Sequence, residues 1–380
     1  MRATTLFKEF YQSEKAGGLT LIFFTLVSLV LTNSAFQHSY LNLWHIQLAE
    51  HSISHWINDG LMTIFFLLIG LELEREVYVG ELSSLKKALL PLLAALGGML
   101  VPAAIYLFFN VGTPTQGGAG IPMATDIAFA LGILSLLGNR VPLSLKIFLT
   151  ALAVIDDLGA IVVIAVFYTS SIVWTNLIIS LSIMGLLFIL NRLKIYNLIP
   201  YLIGGVAMWY FMLHSGIHAT ITGVLLAFVI PFGGGDTKSI SYRLEHFLQK
   251  PVAFIILPLF ALANTAIIIG SNWQSTFGHA YSIGIMAGLI IGKPLGITLF
   301  SFAAVALGLC SLPKDISWKQ LLGAGMLGGI GFTMSIFICL LSFNDDVVIN
   351  NAKFMVLVSS LIAGLIGFFW LNLVLKKQRE

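Results

Sequence analysis

Long apolar stretches succeed one another along almost the whole chain, near 17–34, 57–79, 89–109, 118–137, 143–169, 174–191, 198–213, 217–231, 248–269, 281–309, 320–343 and 354–375. Roughly 20 apolar residues of helix cross a hydrocarbon core of about 30 Å. Lipid offers no partner to an open backbone group, so such stretches fold as helices. Composition agrees: 58% of the residues are hydrophobic and 10% charged, where soluble domains carry about 25% charged residues. The reading is an all-α membrane protein of twelve transmembrane helices, one integral-membrane domain over 1–380. The seventh and eighth stretches suit either two short helices or a re-entrant pair. The first follows Lys8 and Lys15 and superficially resembles a signal peptide. A cleavage site near Asn33-Ser34-Ala35 would be weakly specified, so it reads as a retained span.

The loop cations test this count. Arg2, Lys8 and Lys15 share one side with Arg75, Lys86 and Lys87, with Arg140 and Lys146, and with Arg192 and Lys194. Lys238, Arg243 and Lys250, then Lys314 and Lys319, then Lys376, Lys377 and Arg379 fall on that same side. Lys353 alone falls on the other. The positive-inside rule then puts both termini in the cytoplasm. A net charge of +3 without a long Lys or Arg run implies no nucleic-acid partner. Cys310 and Cys339 make neither a disulfide framework nor, alone, a metal site.

Four charges lie deep within spans. Asp156 and Asp157 sit roughly 20 Å along the fifth, Asp126 roughly 12 Å into the fourth, and Lys293 roughly 18 Å into the tenth, at 1.5 Å per residue. All four therefore fall near the midplane. A charge there costs roughly 2.5–3.5 kcal/mol on insertion scales. A short Asp cannot snorkel out from mid-span, so the bland alternative is a structural ion pair. Asp156 and Asp157 are about 100° apart on a helix, so one can pair with Lys293 while the other faces a cavity. Asp59, Glu72 and Glu76, in or at the end of the second span, are weaker candidates.

Two spans are rich in helix-interrupting residues: the fourth, with G-G-A-G-I-P-M-A-T-D, and the eleventh, with G-A-G-M-L-G-G-I-G-F-T-M-S. Each is the middle member of a three-span unit, 89–169 and 281–375, and the two units start from opposite sides. Paired interrupted segments in inverted halves point to a transporter site. Free helix ends carry partial charges that Asp126 and Lys293 could balance, at N- and C-terminal ends respectively. Gly323, Gly325 and Gly328 match G-x-G-x-x-G, but in a membrane span this is no dinucleotide fingerprint.

The segments F-F-L-L-I-G-L-E-L-E-R-E (65–76), A-T-D-I-A-F-A-L-G (124–132), L-A-V-I-D-D-L-G-A-I (152–161), S-G-I-H-A-T (215–220), R-L-E-H (243–246), G-K-P-L-G-I (292–297) and G-G-I-G-F-T-M-S-I-F (328–337) resemble, in order, the NhaA family of bacterial Na⁺/H⁺ antiporters. Inverted repeats with two broken, crossing helices, here the fourth and eleventh, are the architecture for which that family is itself a reference case. The resemblance implies that Asp157 is the principal Na⁺ and proton carboxylate. It implies that Asp156 is its partner and the counter-charge of Lys293, with Thr125 and Asp126 at the crossing. It assigns Glu72, Glu76, His218, Glu245 and His246 to a pH-responsive region at or near the cytoplasmic side. The activity it implies is electrogenic exchange of cytoplasmic Na⁺ or Li⁺ for protons across the inner membrane, by a possible homodimer in the lipid bilayer, without cofactor. Two features depart from the family. The loop 231–242 carries only Asp236 and Lys238, and Glu74 stands where members tend to have Lys. The outer loop 35–55 lacks Gly, Pro or Asn-Gly turn signals, so the family's dimerising hairpin is expected to be reduced or absent.

No nucleophile–base pairing suggests an enzyme. A sodium-coupled symporter of a small organic anion could share the repeats, but would need a larger cavity. A retinal-type pump would use a mid-span Lys in seven spans rather than twelve. A gated channel would differ in failing to saturate.

Overall fold

The computed structural model describes residues 14–169, 171–270 and 273–375. Arg2, Lys8, Lys376, Lys377 and Arg379, on which part of the charge pattern rests, lie outside them. Among the described residues eight helices are long and apolar enough to cross a membrane, or ten if each of two bent pairs is one span. The seventh and eighth stretches form two short helices, Leu198–Leu213 and Ile221–Val229. Between them Gly216 holds φ at +85°, a conformation open to glycine at little cost. The pattern of exposure is inverted relative to a soluble protein. Phe108 and Leu373 are 81% and 83% exposed, while Asp156 and Lys293 are fully buried.

The described chain forms two compact units, each discontinuous in sequence. The first comprises 14–38, 84–160 and 264–375. Here the helices Leu85–Asn110 and Ala280–Ala306 touch backbone to backbone. A Cβ on Gly97 would lie 2.2 Å from the Gly296 carbonyl oxygen, and one on Gly292 would lie 2.8 Å from Cα of Pro102. Small residues allow such approach in a bilayer, where packing rather than hydrophobicity drives helix association. The contact fixes the helix that carries Lys293. Gly97→Val should therefore cost roughly 1–3 kcal/mol or more, because the obstacle is backbone and cannot rotate away. Thermal unfolding in detergent checks this, and an unchanged melting temperature would refute the contact.

The second unit comprises 39–83 and 161–263. The span Ile53–Tyr78 packs on Ile221–Val229 in the same manner, with a Cβ on Gly223 meeting the Thr63 carbonyl oxygen at 2.2 Å. Trp174–Arg192 lies against Leu198–Leu213, where the Ser180 hydroxyl donates to the Met208 carbonyl at 3.0 Å. The expected hairpin exists in reduced form. Gln47–Leu48 pairs antiparallel with His51–Ser52, and Ala49 takes the left-handed conformation, φ +58°, without glycine or asparagine.

Candidate functional site

Two interrupted segments meet in the first unit. Gln116–Met123 is a tight helical stretch containing Pro122; Ala124 is extended, and Asp126 opens the helix Ile127–Leu136. Trp318–Gly328 stops at Gly329, and the chain resumes as Phe332–Ser342, bent by 46°. Each break frees backbone groups, and the two breaks satisfy one another. The Asp126 amide donates to the Ile330 carbonyl at 2.6 Å, and the Ser335 hydroxyl donates to the Ile121 carbonyl at 2.6 Å.

Asp126 binds both resumed helices. Its Oδ1 accepts from the Phe129 amide at 2.9 Å; its Oδ2 accepts from the Thr333 amide at 3.1 Å and the Thr333 hydroxyl at 2.5 Å. Both amides belong to first turns, where orphan N–H groups carry partial positive charge. The carboxyl thus caps two helix N-termini, as its sequence position suggested. Thr333 is a member of the site that sequence reasoning left unassigned. Its signal was its position two residues after Gly331 in the quoted G-I-G-F-T motif.

Lys293 Nζ forms an ion pair with Asp156 Oδ2, both side chains fully buried. Among the described residues, Lys293 serves Asp156 rather than a helix C-terminal carbonyl. The Thr125 hydroxyl stands 2.8 Å from Asp156 Oδ2 and 2.8 Å from the Gly328 carbonyl oxygen. One hydroxyl hydrogen serves only one of these acceptors at a time. Asp156 Oδ1 is buried and accepts no hydrogen bond among the described residues. Asp157, the next residue on the helix Leu143–Phe167, is 1% exposed. Three of the five predicted ion-site residues, Thr125, Asp156 and Lys293, are therefore joined by direct contacts, and Asp126 and Asp157 are their chain neighbours. Their oxygens suit a hard cation. Among the described residues no three acidic, His or Cys side chains converge as for a resident metal. A cation taken up here would draw on hydroxyl and backbone carbonyl oxygens as well.

The predicted pH-response residues lie in the second unit. Arg75 contacts Glu245 at 3.1 Å and Glu76 at 3.7 Å. Glu72 hydrogen-bonds Gln249 and lies within electrostatic reach of Glu245 and Glu76. His246 acts on Glu245 and stacks on Tyr242 with ring planes 8° apart. Three carboxyls thus crowd one guanidinium. His218 does not join them, contrary to the expectation of a single region. Its Nε2 bonds the Tyr168 carbonyl at 2.9 Å, and it lies within electrostatic reach of Asp59, which is roughly 20 Å along the helix from Glu72. The S-G-I-H-A-T motif identified the residue but not the end of the helix it faces.

The sequence family described as Na⁺/H⁺ antiporter 1 matches residues 8–371. The Na(+)/H(+) antiporter NhaA of Flavobacterium psychrophilum is 71% identical over 376 residues, covering 99% of this chain and 98% of the relative. The protein of that name from Cytophaga hutchinsonii is 63% identical over 377 residues, covering 99% and 97%. The one from Dechloromonas aromatica is 59% identical over 370 residues, covering 96% and 95%. Among solved structures, the sodium proton antiporter MjNhaP1 of Methanocaldococcus jannaschii aligns over 99% of this chain and 96% of its own, with a TM-score of 0.48 and 16% identity.

Proposed function

The chain belongs to the NhaA family of Na⁺/H⁺ antiporters, and we propose that it exchanges cytoplasmic Na⁺ or Li⁺ for external protons, electrogenically, at the buried Asp site. The observation that carries this reading is the Thr125–Asp156–Lys293 cluster together with the Asp126–Thr333 contact, where two unwound segments satisfy each other. We count twelve spans by adding the two short helices to the long and bent ones, each bent pair taken as one. The interrupted segments are then the middle members of inverted repeats, 89–169 and 281–375. Both termini face the cytoplasm of a bacterial cell, the protein sits in the inner membrane, and the short hairpin belongs to a homodimer contact.

The chemistry is competition for one set of oxygens. In a low-dielectric site a carboxylate is stabilised by taking either a proton or a cation. Asp157 accepts one or the other. Asp156, the Thr125 hydroxyl and freed carbonyls complete the shell for Na⁺, and Lys293 balances Asp156 in the empty state. Alternating exposure of this site turns the competition into exchange, and no cofactor takes part. In proteoliposomes with an acid interior, added Na⁺ should dissipate the proton gradient, K⁺ should not, and an imposed membrane potential should change the rate. Absence of Na⁺-dependent proton movement would overturn the function; indifference to potential would overturn electrogenicity.

Competition also sets the pH dependence. Protons silence transport at acid pH without a separate sensor, so raising Na⁺ should shift the acid limb to lower pH. His218→Arg and His246→Ala should move it little, although His titrates near neutrality when unperturbed. An activation pH that ignores Na⁺ yet moves by about one unit in His218→Arg, equivalent to about 1.4 kcal/mol, would make His218 a sensor.

A further inference from the structure

A second built cavity lies in the second unit, apart from the acidic cluster. It opens at the ends of Ile53–Tyr78, Trp174–Arg192 and Ile221–Val229 and has a volume of about 490 Å³. Small-molecule sites run from about 300 to 1,000 Å³. Glu74 lines it, yet is only 4% exposed, and its buried Oε2 accepts no hydrogen bond among the described residues. Arg192 lines the same cavity. Its guanidinium rests 5.0 Å from the centre of the Phe188 ring, and among the described residues no carboxylate pairs with it. Phe188 and Phe228 complete one wall and are 45% and 42% exposed. Tyr78 stands beside Phe232 with ring centres 4.9 Å apart.

A carboxylate and a guanidinium that share a cavity without pairing leave room for a ligand bearing both opposite charges. We propose that this cavity binds the head group of an aminophospholipid, with its primary ammonium on Glu74 and its phosphodiester on Arg192. The acyl chains then run along Phe188 and Phe228. Three considerations select this occupant. A primary ammonium carries three N–H donors and suits an isolated carboxylate that itself only accepts, whereas a bare metal ion would find one carboxylate here. Guanidinium matches phosphate bidentately. Ends of spans with aromatic side chains lie at head-group level, where an amphiphile already has its tails in the bilayer. The ligand is a constituent of the membrane, not cargo, and its site shares no residue with the ion site.

The test uses the full-length chain, stripped of lipid in detergent, and titrated with phosphatidylethanolamine, phosphatidylcholine, phosphatidylglycerol or soluble phosphoethanolamine. Thermal unfolding reports binding, because a ligand of the folded state raises the melting temperature with concentration. Native mass spectrometry on the parent protein gives a second readout that needs no variant. Phosphatidylethanolamine should bind about tenfold more tightly than phosphatidylglycerol, the effect of one charge-assisted contact. Phosphatidylcholine, whose quaternary ammonium has no N–H, should rank with phosphatidylglycerol. Glu74→Gln should abolish that preference, and Arg192→Gln should weaken all three lipids. Equal retention of the three lipids by the parent, or an ethanolamine preference that survives Glu74→Gln, would overturn the proposal. Saturation by soluble phosphoethanolamine at the lipid's concentration would overturn the lipid as occupant.

Discussion

Asp157→Asn should abolish Na⁺-driven proton movement while the protein still inserts and melts close to the parent. Asn keeps the size of Asp, so the packing of this 1%-exposed position is preserved. It removes what exchange requires: a group that is anionic when empty and that holds a proton or a cation when loaded. Asp156→Asn should impair exchange severely, and it also leaves the Lys293 ammonium in a fully buried position without its carboxylate. Purified Asp157→Asn protein in proteoliposomes is the decisive preparation. Robust Na⁺-dependent acidification or alkalinisation by it would remove Asp157 from the centre of the site.

Lys293→Ala should be the most destabilising of the substitutions at the ion site. Removing one member of a buried ion pair typically costs about 3–5 kcal/mol, because the remaining charge keeps its desolvation penalty. Here the remaining group is Asp156, whose Oδ1 already lacks a hydrogen bond among the described residues, so the Thr125 hydroxyl is the contact left to it there. The truncation also leaves a void beside Gly98, where the Lys293 chain passes. The double variant Lys293→Ala with Asp156→Asn should recover part of the loss, since the two residues share one interaction and their effects do not add. Melting temperatures of the four proteins in one detergent measure that coupling. A single variant that melts and transports like the parent across pH would show that the pair contributes nothing.

The spans and the ionisable groups were legible because both are local signals. A run of apolar residues declares a span by itself, and a mid-span Asp or Lys is costly enough to need a purpose. The pairing of Lys293 with Asp156 also followed, from depth and sign together with the family resemblance. Thr333 did not, because a threonine in an apolar run has no cost that marks it. Only the fold, by carrying it to Asp126 across 207 residues, gives it a role. The close approach of Gly296 to Gly97 of another helix was likewise not legible, because no local signal names the partner of a small residue. Glu74 stood out in the sequence only as a departure from the resembled family, whose members tend to have Lys there. Its burial depends on helices that lie over a hundred residues further along the chain. The placement of His218 failed for the same reason: a motif names a residue, while the end of the helix it faces is set by packing.

The bonds at the crossing have a consequence for biosynthesis. Asp126, Asp156 and Asp157 belong to helices made early, whereas Lys293, Ile330 and Thr333 are made last. A nascent chain ending before residue 293 holds Asp156 without the Lys293 ammonium and Asp126 with the Phe129 amide but without the Thr333 amide and hydroxyl. The bonds at the crossing can therefore close only after the C-terminal helices have been synthesised.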